Sequence, residues 1–316
     1  MIRTPSRPLM TLLAPALFLA GCLLRDPFTD SIPTPPDPEA LPVLPSGPSL
    51  QVLAFGDWGT GEEGQRALAE VMAATHAESP PDFTLTLGDN FYPDGVLGPD
   101  DPMWESHFES VYTGPFWENM HFQAVLGNHD HHGNSDAQIE YSEISSRWDM
   151  PARYYSVEKE IPGGGSVLFL ALDTEPIAKQ TPGSEEQREW ADSVLRRTSA
   201  HWVVVGGHHP VATGGWHKPE GTVKSTLLPL LGARVDVYLS GHNHSTELIE
   251  TEVGTLQAVC GGGGGLDNPY RVKSTTGTLH SFTNGGWCFL RIWPEVLAVD
   301  VHDREGAVQF RYLIQR

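Results

Sequence analysis

The sequence predicts an α/β protein built from two packed, mixed β-sheets with helices on their outer faces. Three observations carry that prediction. Short apolar runs alternate with stretches of helical spacing between residues 49 and 244. Five of those runs end in glycine followed by a polar or titratable residue. The tail, residues 286–316, reads as antiparallel strands joined by tight turns.

The elements follow in chain order. SLQVLAFGD, residues 49–57, is a buried strand. EEGQRALAEVMAATHAE, 62–78, holds strong helix formers at helical spacing. PDFTLTLGDN (81–90), HFQAVLGNHD (121–130) and GSVLFLALDTE (165–175) are strands. SEEQREWADSVLRRTSA, 184–200, is a helix that begins with a serine and acids, the pattern of a capping box. HWVVVGGHHP (201–210) and RVDVYLSGHNH (234–244) are strands, the second preceded by the helical VKSTLLPLLGA (223–233). In the tail, 286–316, turns fall at Pro294 and at Glu305-Gly306.

The strand ends are the informative part. They read FGD, LGD, LGNH, GGHH and SGHNH. In open α/β sheets a ligand site lies beyond the carboxyl ends of the strands, and glycine there permits a sharp turn and a close backbone approach. The residues collected are Asp57, Asp89, Tyr92, Asn128, His208, His242 and His244. They offer oxygen and imidazole donors and no thiolate, a set suited to Fe, Zn or Mn. Seven are too many for one tetrahedral zinc and suit two ions sharing a carboxylate. Taken singly, Asp57 reads as an Asx turn and Tyr92 as core; their joint position at strand ends is what points to metal.

Composition narrows the partners. Forty Asp and Glu stand against 20 Lys and Arg, a formal net charge of −20. Such a surface repels nucleic-acid phosphates and anionic headgroups, so no nucleic-acid binding is expected. An anionic substrate would need positive charge supplied locally, as bound metal ions supply it. The 33 Gly and 26 Pro imply many turns.

The N-terminal MIRTPSRPLMTLLAPALFLAGC has arginines, an apolar run and small residues before Cys22, a secretory signal pattern. Its LAGC ending resembles the lipobox of bacterial lipoproteins, in which the cysteine is lipidated. Residues 1–22 are therefore expected to be a lipoprotein signal peptide and 23–48, rich in Pro, a disordered tether. Residues 49–316 are expected to form the folded domain, exported and held at the bacterial envelope by its lipid anchor. Cys260 and Cys288 then remain, as one disulfide or as two thiols; their spacing does not choose.

In order, GDWG, GDNFY, GNHD, GGHHP and GHNH resemble the motif set of the calcineurin-like metallophosphoesterases. GDNFYPDGV and GNHDHHGN are similar to the purple acid phosphatases, in particular the small tartrate-resistant type. The resemblance covers residues 50–316. It implies a four-layer αββα sandwich and a hydrolase that cleaves phosphate monoesters of a small molecule or a phosphoprotein. It implies Fe(III) held by Asp57, Asp89, Tyr92 and His244. Asp89 would bridge to a divalent Fe, Zn or Mn completed by Asn128, His208 and His242. It implies attack on phosphorus by hydroxide on the metals, with His129 or His217 as general acid. Phosphodiesterase or nucleotide pyrophosphatase action on the same centre is the alternative. A non-catalytic surface lipoprotein would be expected to have lost ligands, and none of the seven is missing.

His131 and His132 are expected at the cleft rim or surface, and Asn90 and Asn134 as loop-fixing groups. The small mammalian-type enzymes have Tyr after the histidine of the fourth motif; here it is His209. The glycine-rich CGGGGGLDNP, 260–269, opens no helix and is expected to be a flexible loop at the cleft rim.

Overall fold

The computed structural model describes residues 41–265 and 271–316. The strands are β1 (Leu50–Phe55), β2 (Phe83–Thr86), β3 (Phe122–Gln123), β4 (Trp148–Asp149), β5 (Tyr155–Glu160), β6 (Ser166–Ala171) and β7 (Trp202–Gly206). They continue as β8 (Val237–Ser240), β9 (Thr246–Glu250), β10 (Leu256–Cys260), β11 (Thr278–Phe282), β12 (Gly285–Ile292), β13 (Val296–Asp303) and β14 (Val308–Gln315). The helices are α1 (Glu63–Thr75), α2 (Ser135–Tyr141), α3 (Glu175–Lys179), α4 (Ser184–Arg197) and α5 (Gly221–Arg234).

They form two mixed seven-stranded sheets, ordered β14-β13-β12-β1-β2-β3-β4 and β11-β9-β10-β8-β7-β6-β5. In the first, β1 to β4 run parallel, while β12 runs antiparallel to β1. In the second, β6, β7, β8 and β10 run parallel. The inner strand β7 shows how side-chain alternation builds the layers. Trp202 and Val204 join the core that includes β1, β2 and β12, whereas Val203 and Val205 join a second core with α4 and α5. The parallel strands β1, β2, β7 and β8 are wholly or nearly wholly buried, as a sheet covered on both faces requires.

Two expectations change. The serine at the start of α4 does not cap it: Gly183 occupies the cap position with no side-chain bond, and Ser184 lies inside the first turn. The strand expected over 121–130 keeps only two ladder residues. Beyond them Ala124 donates to Asp149 and Val125 to Thr86, so the chain stays extended without regular pairing.

The cysteines are paired. Cys260 at the end of β10 and Cys288 in β12 join one sheet to the other, with Cα atoms 5.9 Å apart. Cys22 and residues 1–40 lie outside the described residues. Of the stretch expected as tether, 41–48 carry no helix or strand, and Pro42 and Gly47 accept hydrogen bonds from Arg311 and Trp293. No helix among the described residues is long and apolar enough to cross a membrane.

His76, at the end of α1, is buried against Phe289 and accepts the Trp287 indole N–H at Nε2. Burial, then the neighbouring His302, pushes it from its ordinary 6.5 down to about 3. Below pH 6.5 the unfolded chain takes up this proton and the folded chain does not, so folding stability falls as pH drops from 6.5 towards 3. A His76→Gln variant should show a shallower loss of unfolding free energy over that window; an unchanged slope would refute the assignment. Replacing both Cys260 and Cys288 by Ala should cost roughly 3–4 kcal/mol by loop-closure entropy. Urea unfolding with an unshifted midpoint would contradict that.

Candidate metal centre

The site begins with backbone strain. Asp57, Asp89 and His242 sit in the left-handed region at φ 56°, 52° and 70°. Among the described non-glycine residues only Gln180 joins them there. Each of the three follows a glycine just past a parallel strand. Such backbone costs roughly 1–3 kcal/mol per residue and persists only where its surroundings impose it. Space is equally tight: a β-carbon on Gly127 would lie 2.2 Å from both the backbone nitrogen and Oδ1 of Asp89.

The turns bring all seven candidate ligands together in two halves that share Asp89. In the first half, the Tyr92 hydroxyl lies 2.9 Å from Asp89 Oδ2, 3.3 Å from Asp57 Oδ1 and 3.2 Å from His244 Nε2. His244 Nε2 is 3.7 Å from Asp57 Oδ1. In the second half, Asn128 Oδ1 lies 3.1 Å from His208 Nε2 and 3.0 Å from His242 Nδ1, and those two nitrogens are 3.2 Å apart. Asp89 turns its other oxygen, Oδ1, to within 3.5 Å of His208 Nε2. Ligand atoms of Asp57, Asp89 and His208 all fall within 4.8 Å of one another.

This donor set fits cations. His208 Nδ1 lies 2.8 Å from the Leu87 carbonyl, which can only accept, so Nδ1 carries the proton and Nε2 presents a lone pair. That lone pair faces Asp89 Oδ1 and Asn128 Oδ1, which are lone pairs too. Burial, then Asp89, pushes the Asp57 carboxyl well above its usual range. Burial, then the two aspartates, pushes the Tyr92 phenol well above 10. Burial also lowers His244 to about 4 and drives His242 well below the usual histidine value. By themselves Asp57 and Tyr92 resist negative charge, and His242 and His244 resist positive charge. A multivalent cation reverses that order by stabilising carboxylate and phenolate and using neutral imidazole.

The two candidate proton donors flank the cluster. The His129 ring packs 4.6 Å from that of Tyr92, its Nδ1 contacts the Pro93 carbonyl, and its backbone N–H donates to Asp89 Oδ1 at 2.9 Å. The exposed His217 ring lies 4.5 Å from that of His242. His131 bonds to the buried Asp173 at 2.8 Å, and His132 is exposed beside Asp94. Asn90 is fully buried and ties Trp58 to Val125 and Gln138. Asn134 caps α2. His209 is buried, its Nδ1 2.8 Å from the Thr174 hydroxyl and its Nε2 3.4 Å from Glu175. Burial lowers it to about 2, so it stands as a neutral ring behind His242. The expected flexible rim loop is different where it is described: Gly261–Gly264 are buried, Gly261 donates to Ser245 and Gly263 to Gly56. Side chains there would collide with Asp57 and Asn243, so the glycines serve packing.

Two supporting residues escaped the sequence reading. Asp130 is fully buried and accepts from Gly127 at 2.8 Å, from Asn90 at 3.1 Å and from Gln138 at 2.9 Å. It thus joins the loops that carry Asp89 and Asn128. It was present as the last letter of GNHD. Asn243, between His242 and His244, accepts the His217 N–H at 2.9 Å and donates to the His217 carbonyl at 3.0 Å.

Fold and site together define a metal-dependent phosphoesterase. The sequence model of the family described as Calcineurin-like phosphoesterase matches residues 50–246, and the chain belongs to that family. Within it, the chain is similar to the purple acid phosphatases. It is 33% identical to tartrate-resistant acid phosphatase type 5 of Sus scrofa, over 85% of this chain and 88% of that one. It is 32% identical to purple acid phosphatase 7 of Arabidopsis thaliana, over 68% of this chain and 70% of that one. Among solved structures it superposes on GAP50, described as the anchor in the inner membrane complex of Plasmodium. That match has a TM-score of 0.76 and 25% identity, over 85% of this chain and 89% of that one.

Asp130→Ala would leave three buried N–H groups without an acceptor. It should lower unfolding free energy by roughly 2–4 kcal/mol. A urea midpoint matching the parent protein would contradict that role.

Proposed function

We propose that this protein hydrolyses phosphate monoesters at a two-metal centre and does so as an exported lipoprotein. The observation that carries the reading is the divided aim of Asp89. One oxygen lies 2.9 Å from the Tyr92 hydroxyl, which itself touches Asp57 and His244, and the other lies 3.5 Å from His208, which itself touches Asn128 and His242. The first set, with a phenol, suits Fe(III); the second, neutral set suits a divalent Fe, Zn or Mn. When bound, two such cations neutralise phosphate oxygens and acidify a water to serve as nucleophile.

The chain's own groups do the rest. His129 is steered by its Nδ1 contact with the Pro93 carbonyl, which leaves Nε2 for a substrate. His217 is held by Asn243 on both sides of its peptide unit. Either imidazolium can hand its proton to the departing alkoxide. The relatives' name, acid phosphatase, supports monoester hydrolysis. The LAGC ending supports the lipid anchor, and the Cys260–Cys288 bridge supports an oxidising compartment.

The purified protein should contain iron, show a tyrosinate charge-transfer band in the visible, and hydrolyse p-nitrophenyl phosphate. Asp89→Ala should lose more than about a hundredfold in kcat together with the bound metal. Full activity in that variant would end the two-metal reading, and an active, colourless, iron-free enzyme would end the ferric one. His129→Asn and His217→Asn separate the proton donors. Loss of the general acid should cost roughly 10²–10⁴ in kcat for an alkyl phosphate and far less for p-nitrophenyl phosphate, whose leaving group needs no proton. Equal losses on both substrates in both variants would refute the assignment.

A further inference from the structure

The chain contains five lysines in 316 residues: Lys159, Lys179, Lys218, Lys224 and Lys273. Three of them, Lys218, Lys224 and Lys273, line one cavity of about 500 Å³. They come from three separate segments: the loop 211–219, helix α5 and the stretch after the undescribed 266–270. Local sequence does not bring them together; the fold does. One carboxylate, Glu252, shares the cavity and sits 3.6 Å from Lys224 Nζ. The lining therefore keeps an excess of positive charge in a chain whose formal net charge is −20. Ser274, Thr275 and Thr276 add hydroxyls to the same lining.

The cavity adjoins the site already described. Its wall at Thr213, Gly214 and Lys218 is the loop that carries His217. That loop is fixed from both directions. Asn243 bonds to Thr213 and His217, while the backbone N–H of Lys273 donates to the Gly214 carbonyl at 3.1 Å. His217 leans on His242, and Lys218 is the next residue along the chain. The lysine-lined cavity and the candidate metal site thus share the loop 211–219.

We propose that this cavity binds a phosphate dianion. The phosphate is the distal one of a small organic ester whose other phosphate is presented to the metal-ligand cluster. This rests on the monoesterase reading and names its substrate class: a sugar or polyol bisphosphate. Lysine ammoniums act as point charges for phosphate without demanding one orientation, and hydroxyls add donors.

The test compares kcat/KM of the metal-loaded enzyme for fructose 1,6-bisphosphate, fructose 6-phosphate and p-nitrophenyl phosphate, in the parent protein and in Lys273→Ala, Lys273→Glu and Lys273→Arg. The parent should favour the bisphosphate through KM. Lys273→Ala should remove about five- to twentyfold of that preference, Lys273→Glu more, and Lys273→Arg little, with the two monophosphates unchanged. Equal effects on all three substrates, or none, would overturn the proposal while leaving the monoesterase reading intact. Failure of the parent to hydrolyse p-nitrophenyl phosphate would instead sink that reading. Inorganic phosphate is the other source of the same dianion. Should added phosphate alter p-nitrophenyl phosphate turnover through Lys273 while the bisphosphate gains no advantage, the cavity would hold free phosphate and the substrate assignment would fall.

Discussion

Lone pairs converge in this protein, and the rest of the structure is arranged around that fact. The Tyr92 hydroxyl can donate to Asp89 Oδ2, but Asn128 Oδ1, Asp89 Oδ1 and His208 Nε2 can only accept, and His208 Nε2 faces the other two at 3.1 and 3.5 Å in a largely buried cluster. Such an arrangement is repulsive unless positive charge lies among the groups. The strained backbone at Asp57, Asp89 and His242 has the same cause, because an ordinary right-handed turn would aim these side chains elsewhere. Rigidity then has to come from outside the cluster. Asp130 supplies it for one pair of loops, Asn243 for another, and the inter-sheet disulfide lies directly behind the first ligand turn. There Gly56 donates to the Cys260 carbonyl and Ala54 pairs with Cys288.

The division of labour between the sheets follows. β1 and β2 of one sheet deliver Asp57 and Asp89; β7 and β8 of the other deliver His208, His242 and His244. Neither sheet holds the whole set. The apolar layer between them, with Phe55, Leu87, Val204 and Leu239, sets the distance at which the two groups of ligands meet. Packing and chemistry are therefore the same constraint seen at two levels. Acidity over the molecule as a whole makes the local exceptions matter more, both the candidate metal ligands and the lysine-lined cavity that shares a loop with them.

Much of this was legible in the sequence because glycine and ligand types are punctuation at strand ends. The five endings located the cluster, and the resemblance built on them agrees with the family found by comparison. What stayed hidden depends on contacts between distant residues. Asp130 reads as an ordinary turn acid until its three donors are seen. The disulfide needed the register of β1 with β12 and the position of β10 to become definite. The glycine-rich 261–265 looks loose as a string, yet it is packed because its neighbours leave no room for side chains. Three lysines spread over 218–273 carry no local signal at all. The capping error at Ser184 shows the reverse failing, in which a plausible local pattern yielded to a left-handed Gly183 one residue earlier.

Anomalous diffraction from crystals of the purified protein, recorded on both sides of the iron edge, tests the central claim most directly. Two separate peaks are expected with Asp89 between them, the iron peak beside Tyr92, Asp57 and His244, the other beside Asn128, His208 and His242. A single peak, or peaks that do not include Asp89, would contradict it.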